Sequence, residues 1–150
     1  GLVQLAYSTT SDTQTTYWFR LRAYPPNNVM PSISFGGSAY YVLNIVNQVT
    51  NAWNVTLQVY DSSNLGRLSS ATVGFEDGTS SNQIVVNGGR VVQSQGALYN
   101  LPGGAGTTIY VRLSDLFANA TGTSYLYVNL KILTPNTSTY LLYEISFVIT

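Results

Sequence analysis

Apolar and polar residues alternate with a period of two along most of this chain. In YYVLNIVNQVT, Tyr41, Leu43, Ile45 and Val49 fall on one side and Tyr40, Asn44, Gln48 and Thr50 on the other, the pattern of a strand with one buried face. WNVTLQVY repeats it, with Trp53, Val55, Leu57 and Val59 inward and Asn54, Thr56 and Gln58 outward. The same reading predicts strands in YWFRLRAY, SSATVGFE, QIVVN, RVVQSQ, TTIYVRL, SYLYVNLKIL and YLLYEISFVIT. All are rich in the β-branched and aromatic side chains that fit a pleated, half-buried surface. Between them PPNN, FGGS, EDGTSSN, NGGR and LPGGAG supply the turn chemistry of Gly, Asn and Pro. NGG between QIVV and RVV is the clearest hairpin signal, because Asn and Gly accept the positive φ that a two-residue loop demands. SDLFANAT is predicted to leave the strand pattern, with Ser114 capping a turn of helix that carries Leu116 and Phe117. About nine or ten short strands with regular turn signals predict an all-β fold, a two-sheet β-sandwich of jelly-roll or immunoglobulin-like topology.

The opening GLVQLAYS is a strand of a different kind. Val3, Leu5 and Tyr7 lie on one face and Gln4, Ala6 and Ser8 on the other, with Leu2 extending the apolar start. The following STTSDTQTT has no Gly, Pro or Asn to turn the chain tightly back, so no hairpin partner is evident. A strand on such a polar tether is able to pair with its own sheet or with that of a neighbour. In a groove on the neighbour its backbone would complete that ladder, while Leu2, Val3, Leu5 and Tyr7 fill that core. Each buried side chain would contribute ~1.5–3 kcal/mol before entropic costs. Repeated head to tail, the contact does not close and gives a filament. The chain is thus expected to divide into a donor strand and polar tether, residues 1–16, and a sandwich domain, residues 17–150.

Composition sharpens this picture. With 150 residues and 16.3 kDa the chain is long enough to bury one core. Charged residues make up only 8%, against about 25% in an ordinary globular protein, and so little repulsion favours association. The net charge is zero, and the single Lys and five Arg are scattered, so no basic stripe is present to hold phosphates and nucleic acid is not an expected partner. No window approaches the ~18 apolar residues of a membrane span. The Gly1 start implies a leader already removed, or a start set for expression. An extracellular, cell-surface location fits the Ser/Thr/Asn/Tyr chemistry of the chain.

Chemistry is scarce. The absence of His and Cys excludes Ser-His-Asp and Cys-His machinery and the usual zinc sites. The carboxylates are Asp12, Asp61, Glu76, Asp77, Asp115 and Glu144, and a glycosidase needs two of them across a cleft. Glu76 and Asp77 read as a turn with Gly78. Glu144 falls on the outward row with Tyr140 and Leu142, where an Arg across a strand, such as Arg112, would pair with it. Asp61 in DSSN opens like a calcium loop without the acidic ligands that should follow. No enzyme, metal or cofactor is expected. Three sequons occur, at Asn54 in NVT, Asn119 in NAT and Asn136 in NTS, placed on an outward row or in turns where N-linked glycans would avoid the core.

The N-terminal strand and polar tether, the nearly uncharged Tyr/Thr/Asn/Val-rich sandwich, the sequons and the closing YVNLKIL and YLLYEISFVIT together resemble subunits of archaeal extracellular filaments assembled by donor-strand complementation. Those thread filaments and bundling pili are similar in fold to bacterial biofilm-matrix fibre proteins. The resemblance implies a secreted homopolymer subunit used in adhesion or biofilm formation, with Leu2, Val3, Leu5 and Tyr7 as the donor segment. The long apolar N-terminal helix of archaeal type IV pilins is missing. An alternative is the receptor-binding head of a viral or phage fibre, which would form trimers. A third is a carbohydrate-binding module using Trp18, Trp53 or surface Tyr as sugar platforms, although Trp53 shares its row with Val55 and Leu57.

Overall fold

The period-two rows of the sequence become the facing layers of a two-sheet β-sandwich. The computed structural model describes residues 3–8, 14–23, 32–35, 41–47, 52–77, 79–104, 107–133 and 140–150. In chain order its strands are β1 (Val3–Ser8), β2 (Gln14–Ala23), β3 (Ser32–Phe35), β4 (Tyr41–Asn47), β5 (Trp53–Ser63) and β6 (Leu68–Phe75). They continue as β7 (Ile84–Asn87), β8 (Arg90–Gln93), β9 (Tyr99–Leu101), β10 (Thr107–Ala118), β11 (Ser124–Leu133) and β12 (Tyr140–Ile149). The first sheet has the order β1-β2-β12-β11-β5-β9, the second β3-β4-β10-β6-β7-β8, and neighbouring strands run antiparallel.

Alternation sets what each layer buries. Leu126, Val128, Leu130 and Ile132 on β11 are fully buried, as are Trp53, Val55 and Leu57 on β5, and they meet Val73 and Phe75 of β6 and Val111 of β10 in one continuous core. Burying such side chains stabilises the fold by ~1.5–3 kcal/mol each before the entropy of ordering them. The simple in-and-out reading breaks on β4, where Val42 is buried beside Leu43 and Asn47 is wholly buried as well. Asn47 is there because its amide donates to the carbonyls of Leu101 and Pro102, at 3.4 and 3.2 Å, tying the second sheet to β9 of the first. Val49, Gln48, Thr50, the PPNN turn and all of FGGS after Phe35 lie outside the described residues.

The NGG signal is a hairpin as expected. Asn87 pairs with Arg90 across a two-residue loop in which Gly88 and Gly89 adopt φ of 62° and 81°, the left-handed pair that matches strand twist. SDLFANAT corrects the sequence reading. Ser114 caps no helix, because β10 runs on through Ala118 and its ladder with β6 shifts register between Ser114 and Phe117. Asp115 takes a φ of 51° within that irregularity. The extra residues of a bulge bring Leu116 back into the core and leave Phe117 outside. Two strands were not predicted, β3 and β9, of four and three residues.

Candidate functional site

The two flanks of the sandwich differ. Beyond β8 the chain crosses from the second sheet to the first: the Val59 amide donates to the Ser94 carbonyl at 2.8 Å and the Gly96 amide to the Leu57 carbonyl at 2.9 Å. Gln58 bridges Gln95, and β9 then pairs with Trp53–Val55. That flank is stitched by one continuous segment. On the opposite flank the edge strands are β1 and β3, and among the described residues a link between the layers lies one strand further in, where the Tyr17 hydroxyl of β2 donates to the Val42 carbonyl of β4 at 2.9 Å.

The N-terminal strand occupies this second flank. The expectation that it has no hairpin partner in its own chain is corrected: β1 pairs antiparallel with β2, from Val3 opposite Phe19 through Leu5 opposite Tyr17 to Ser8 opposite Gln14. Residues 9–13 between the two strands lie outside the described residues. Because β2 begins at Gln14, residues 14–16 belong to the ladder, which shortens the tether. Among the described residues β2 is the sole neighbour of β1 in the sheet. Val3, Leu5 and Tyr7 share register with Phe19, Tyr17 and Thr15, and both Tyr17 and Thr15 are buried. Leu2 and Asp12 lie outside the described residues.

The carboxylates do not gather. Asp61 is exposed on β5 and accepts from the amide of Ser62 at 2.8 Å. Asp77 accepts from the Thr79 amide at 3.0 Å and weakly from the Asn82 side chain at 3.5 Å, which closes the turn after β6. Asp77 and Glu76 act electrostatically on Tyr99, whose hydroxyl is raised above its ordinary pKa first by burial, then by Asp77 and Glu76. Tyr143 is raised by burial alone. Glu144 requires a correction: it is buried, and its cross-strand neighbours are Arg20 on β2 and Asn129 on β11. Arg112 is in the other sheet, opposite Gly74 and Tyr41. Ser146 donates to Glu144 Oε1 at 3.2 Å. Among the described residues no group of three His, Cys, Asp or Glu is placed to hold a metal ion.

Of the sequons, Asn119 is exposed just past the end of β10, with its amide bonded to the Arg67 carbonyl at 2.8 Å. Asn54 is half-buried on β5 between Asn100 of β9 and Leu133 of β11. Asn136 lies outside the described residues. Trp53 is a core residue, while Trp18 is half-buried on β2. Among the described residues no helix is long and apolar enough to cross a membrane. Comparison with known protein families, curated proteins and solved structures finds no match.

Proposed function

We propose that this chain is a structural subunit of an extracellular filament, polymerising head to tail by exchange of its N-terminal strand and serving adhesion or biofilm formation. One observation carries the reading: among the described residues β1 is an edge strand with a single partner in the sheet, β2. If β1 of one subunit takes the place beside β2 of the next, the same ladder and the same apolar row are made in trans, so exchange has little contact energy to overcome. What decides between the two arrangements is then the linker between Ser8 and Gln14 and the subunit concentration. Each subunit gives one strand and receives one, so the contact is heterologous and the chain of subunits stays open. The thread-type resemblance, the Asn54, Asn119 and Asn136 sequons and a cell-surface location belong to the same proposal. N-linked sugar would supply the hydrophilic surface that 8% charged residues do not.

The test uses the absence of native Cys. Ala6 stands opposite Thr16 in the β1–β2 ladder, and cross-strand neighbours are close enough for a disulfide. In a chain carrying Ala6→Cys and Thr16→Cys, oxidation of assembled material should give covalent ladders of many subunits on a denaturing gel. Intrachain disulfides alone, or discrete trimers in solution, would sink the proposal, and trimers would favour the fibre-head alternative.

A further inference from the structure

The outer face of the first sheet carries aromatic side chains that the core does not use. Register sets Trp18 of β2, Ser146 of β12, Tyr127 of β11 and Asp61 of β5 in one row across the sheet. Tyr125 lies two residues before Tyr127 on the same face, and the two rings are nearly parallel, 9° apart with centroids at 6.3 Å. The β5–β11 register shifts between Tyr127 and Val128. Such a bulge turns two successive residues toward one face, which brings Tyr60 out beside Asp61, its ring 5.8 Å from Tyr127. Tyr60 and Tyr125 are 42% and 36% exposed, and Trp18 and Tyr127 are half-buried.

We propose that this platform binds a neutral polysaccharide by stacking sugar rings on Tyr125 and Tyr127. A pyranose presents an apolar C–H face and a rim of hydroxyls, and the site offers the complement: flat rings in the middle, and Asp61, Ser63, Asn129 and Ser146 around them as hydrogen-bonding groups. Stacked nucleobases would need cations tracking a phosphate backbone. This face has no run of them, since register sets Arg20 beside Glu144 and places Lys131 two residues beyond Asn129. A second copy of the chain is the other occupant such a face would fit, because aromatic residues inside a polar rim also mark protein interfaces, and the experiment below separates the two. The platform is independent of the filament reading, because β5, β11 and β12 keep their places whichever subunit supplies β1.

The experiment is depletion of the full chain from solution by microcrystalline cellulose and by chitin, with amylose and dextran as soluble probes in affinity electrophoresis. At least one of these should retain the native protein with little dependence on salt. Tyr125→Ala with Tyr127→Ala should weaken retention by about tenfold or more, while Tyr125→Phe with Tyr127→Phe keeps the rings and the binding. Should the alanine variant fail to fold, Tyr60→Ala at the exposed end of the platform takes its place and should weaken retention in the same direction. No retention on any probe, equal retention by the alanine variant, or steep loss with salt would overturn the proposal. So would an alanine variant that changes the oligomeric state and leaves polysaccharide retention untouched, which would assign the face to a second copy. None of these results bears on disulfide ladders through Ala6 and Thr16, so the two readings fail separately.

Discussion

Leu5 stands directly opposite Tyr17 in the β1–β2 ladder, and the Tyr17 hydroxyl reaches across the sandwich to the Val42 carbonyl at 2.9 Å. The strand next to the edge is thus the one anchored to the other sheet. Were β1 to leave, as the proposed exchange requires, β2 would keep that hydrogen bond and its ladder with β12.

Tyr17→Phe removes the anchor and keeps the ring, which packs 6.0 Å from Phe147. The Val42 carbonyl loses a buried donor, so unfolding stability should fall by about 1–3 kcal/mol. Urea denaturation should show a lower midpoint with an unchanged slope. An unchanged midpoint would mean that the hydroxyl does not hold the layers together.

Arg67 is the corresponding tie at the far end of the fold. It is buried in a 3-10 turn, with Nε donating to the Ala120 carbonyl at 3.2 Å and Nη1 to Ser124 Oγ and the Ile149 carbonyl, both at 3.0 Å. One planar fork joins the loop before β11 to the end of β12. Arg67→Met should cost about 2–3 kcal/mol, since hydrogen bonds from a charged donor are lost and buried acceptors are left open. Arg67→Lys should recover only part of this, because an ammonium cannot reproduce the fork. A lysine variant as stable as the native chain would contradict that account.

Two glycines should respond in opposite ways to a methyl group. A Cβ on Gly96 would come within 2.4 Å of the Asn82 carbonyl oxygen, whereas one on Gly66 meets nothing within 4 Å. Gly96 is held on two sides, by its amide to Leu57 and by the Thr56 hydroxyl to its carbonyl at 3.0 Å, so the segment that stitches the β8–β9 flank cannot easily move away. Gly96→Ala should lower stability by about 1–3 kcal/mol. Gly66→Ala should be neutral or stabilising by a few tenths, ~0.4–1 kcal/mol at most. Thermal melts of both variants decide it, and equal effects would show that the approach of Gly96 to Asn82 is not a constraint.

The sequence made the sandwich legible because alternation reports burial directly: SYLYVNLKIL and β11 share the same bounds, and the Asn87–Arg90 hairpin follows from its two glycines. Sheet order and irregular positions were not legible. Ser114 and Asp115 resemble a helix cap because Ser and Asp favour any interrupted backbone, whether a cap or a bulge. Arg112 and Glu144 are opposite charges on strands, but nothing local says which sheet each strand joins. At the candidate sites, the apolar row of Val3, Leu5 and Tyr7 was readable and its partner β2 was not. The aromatic platform joins side chains from β2, β11 and β5, more than 100 residues apart in the chain at its extremes, Trp18 and Tyr127, so only the register assembles it.

The last prediction concerns alkali. Burial, then the negative charges of Asp77 and Glu76, hold the Tyr99 hydroxyl above its ordinary pKa of 10.0, and burial does the same for Tyr143. Both groups therefore keep their protons in the folded state at a pH where the unfolded chain has begun to lose them. Between pH 10.0 and the folded values the native state binds more protons, so stability falls as pH rises. Below that window their contribution is fully present, and with no His in the chain none of the loss comes from imidazole titration near neutrality. Melting temperature should hold across neutral pH and drop above pH 10.0. Asp77→Asn removes one charge facing Tyr99 while keeping an oxygen for the Thr79 amide, so tyrosinate absorbance should show Tyr99 ionising at lower pH, with Tyr143 unmoved. Tyr99→Phe identifies which part of the titration belongs to Tyr99. If Asp77→Asn leaves that part where it was, the Asp77 carboxylate does not act on Tyr99, and burial with Glu76 accounts for the shift.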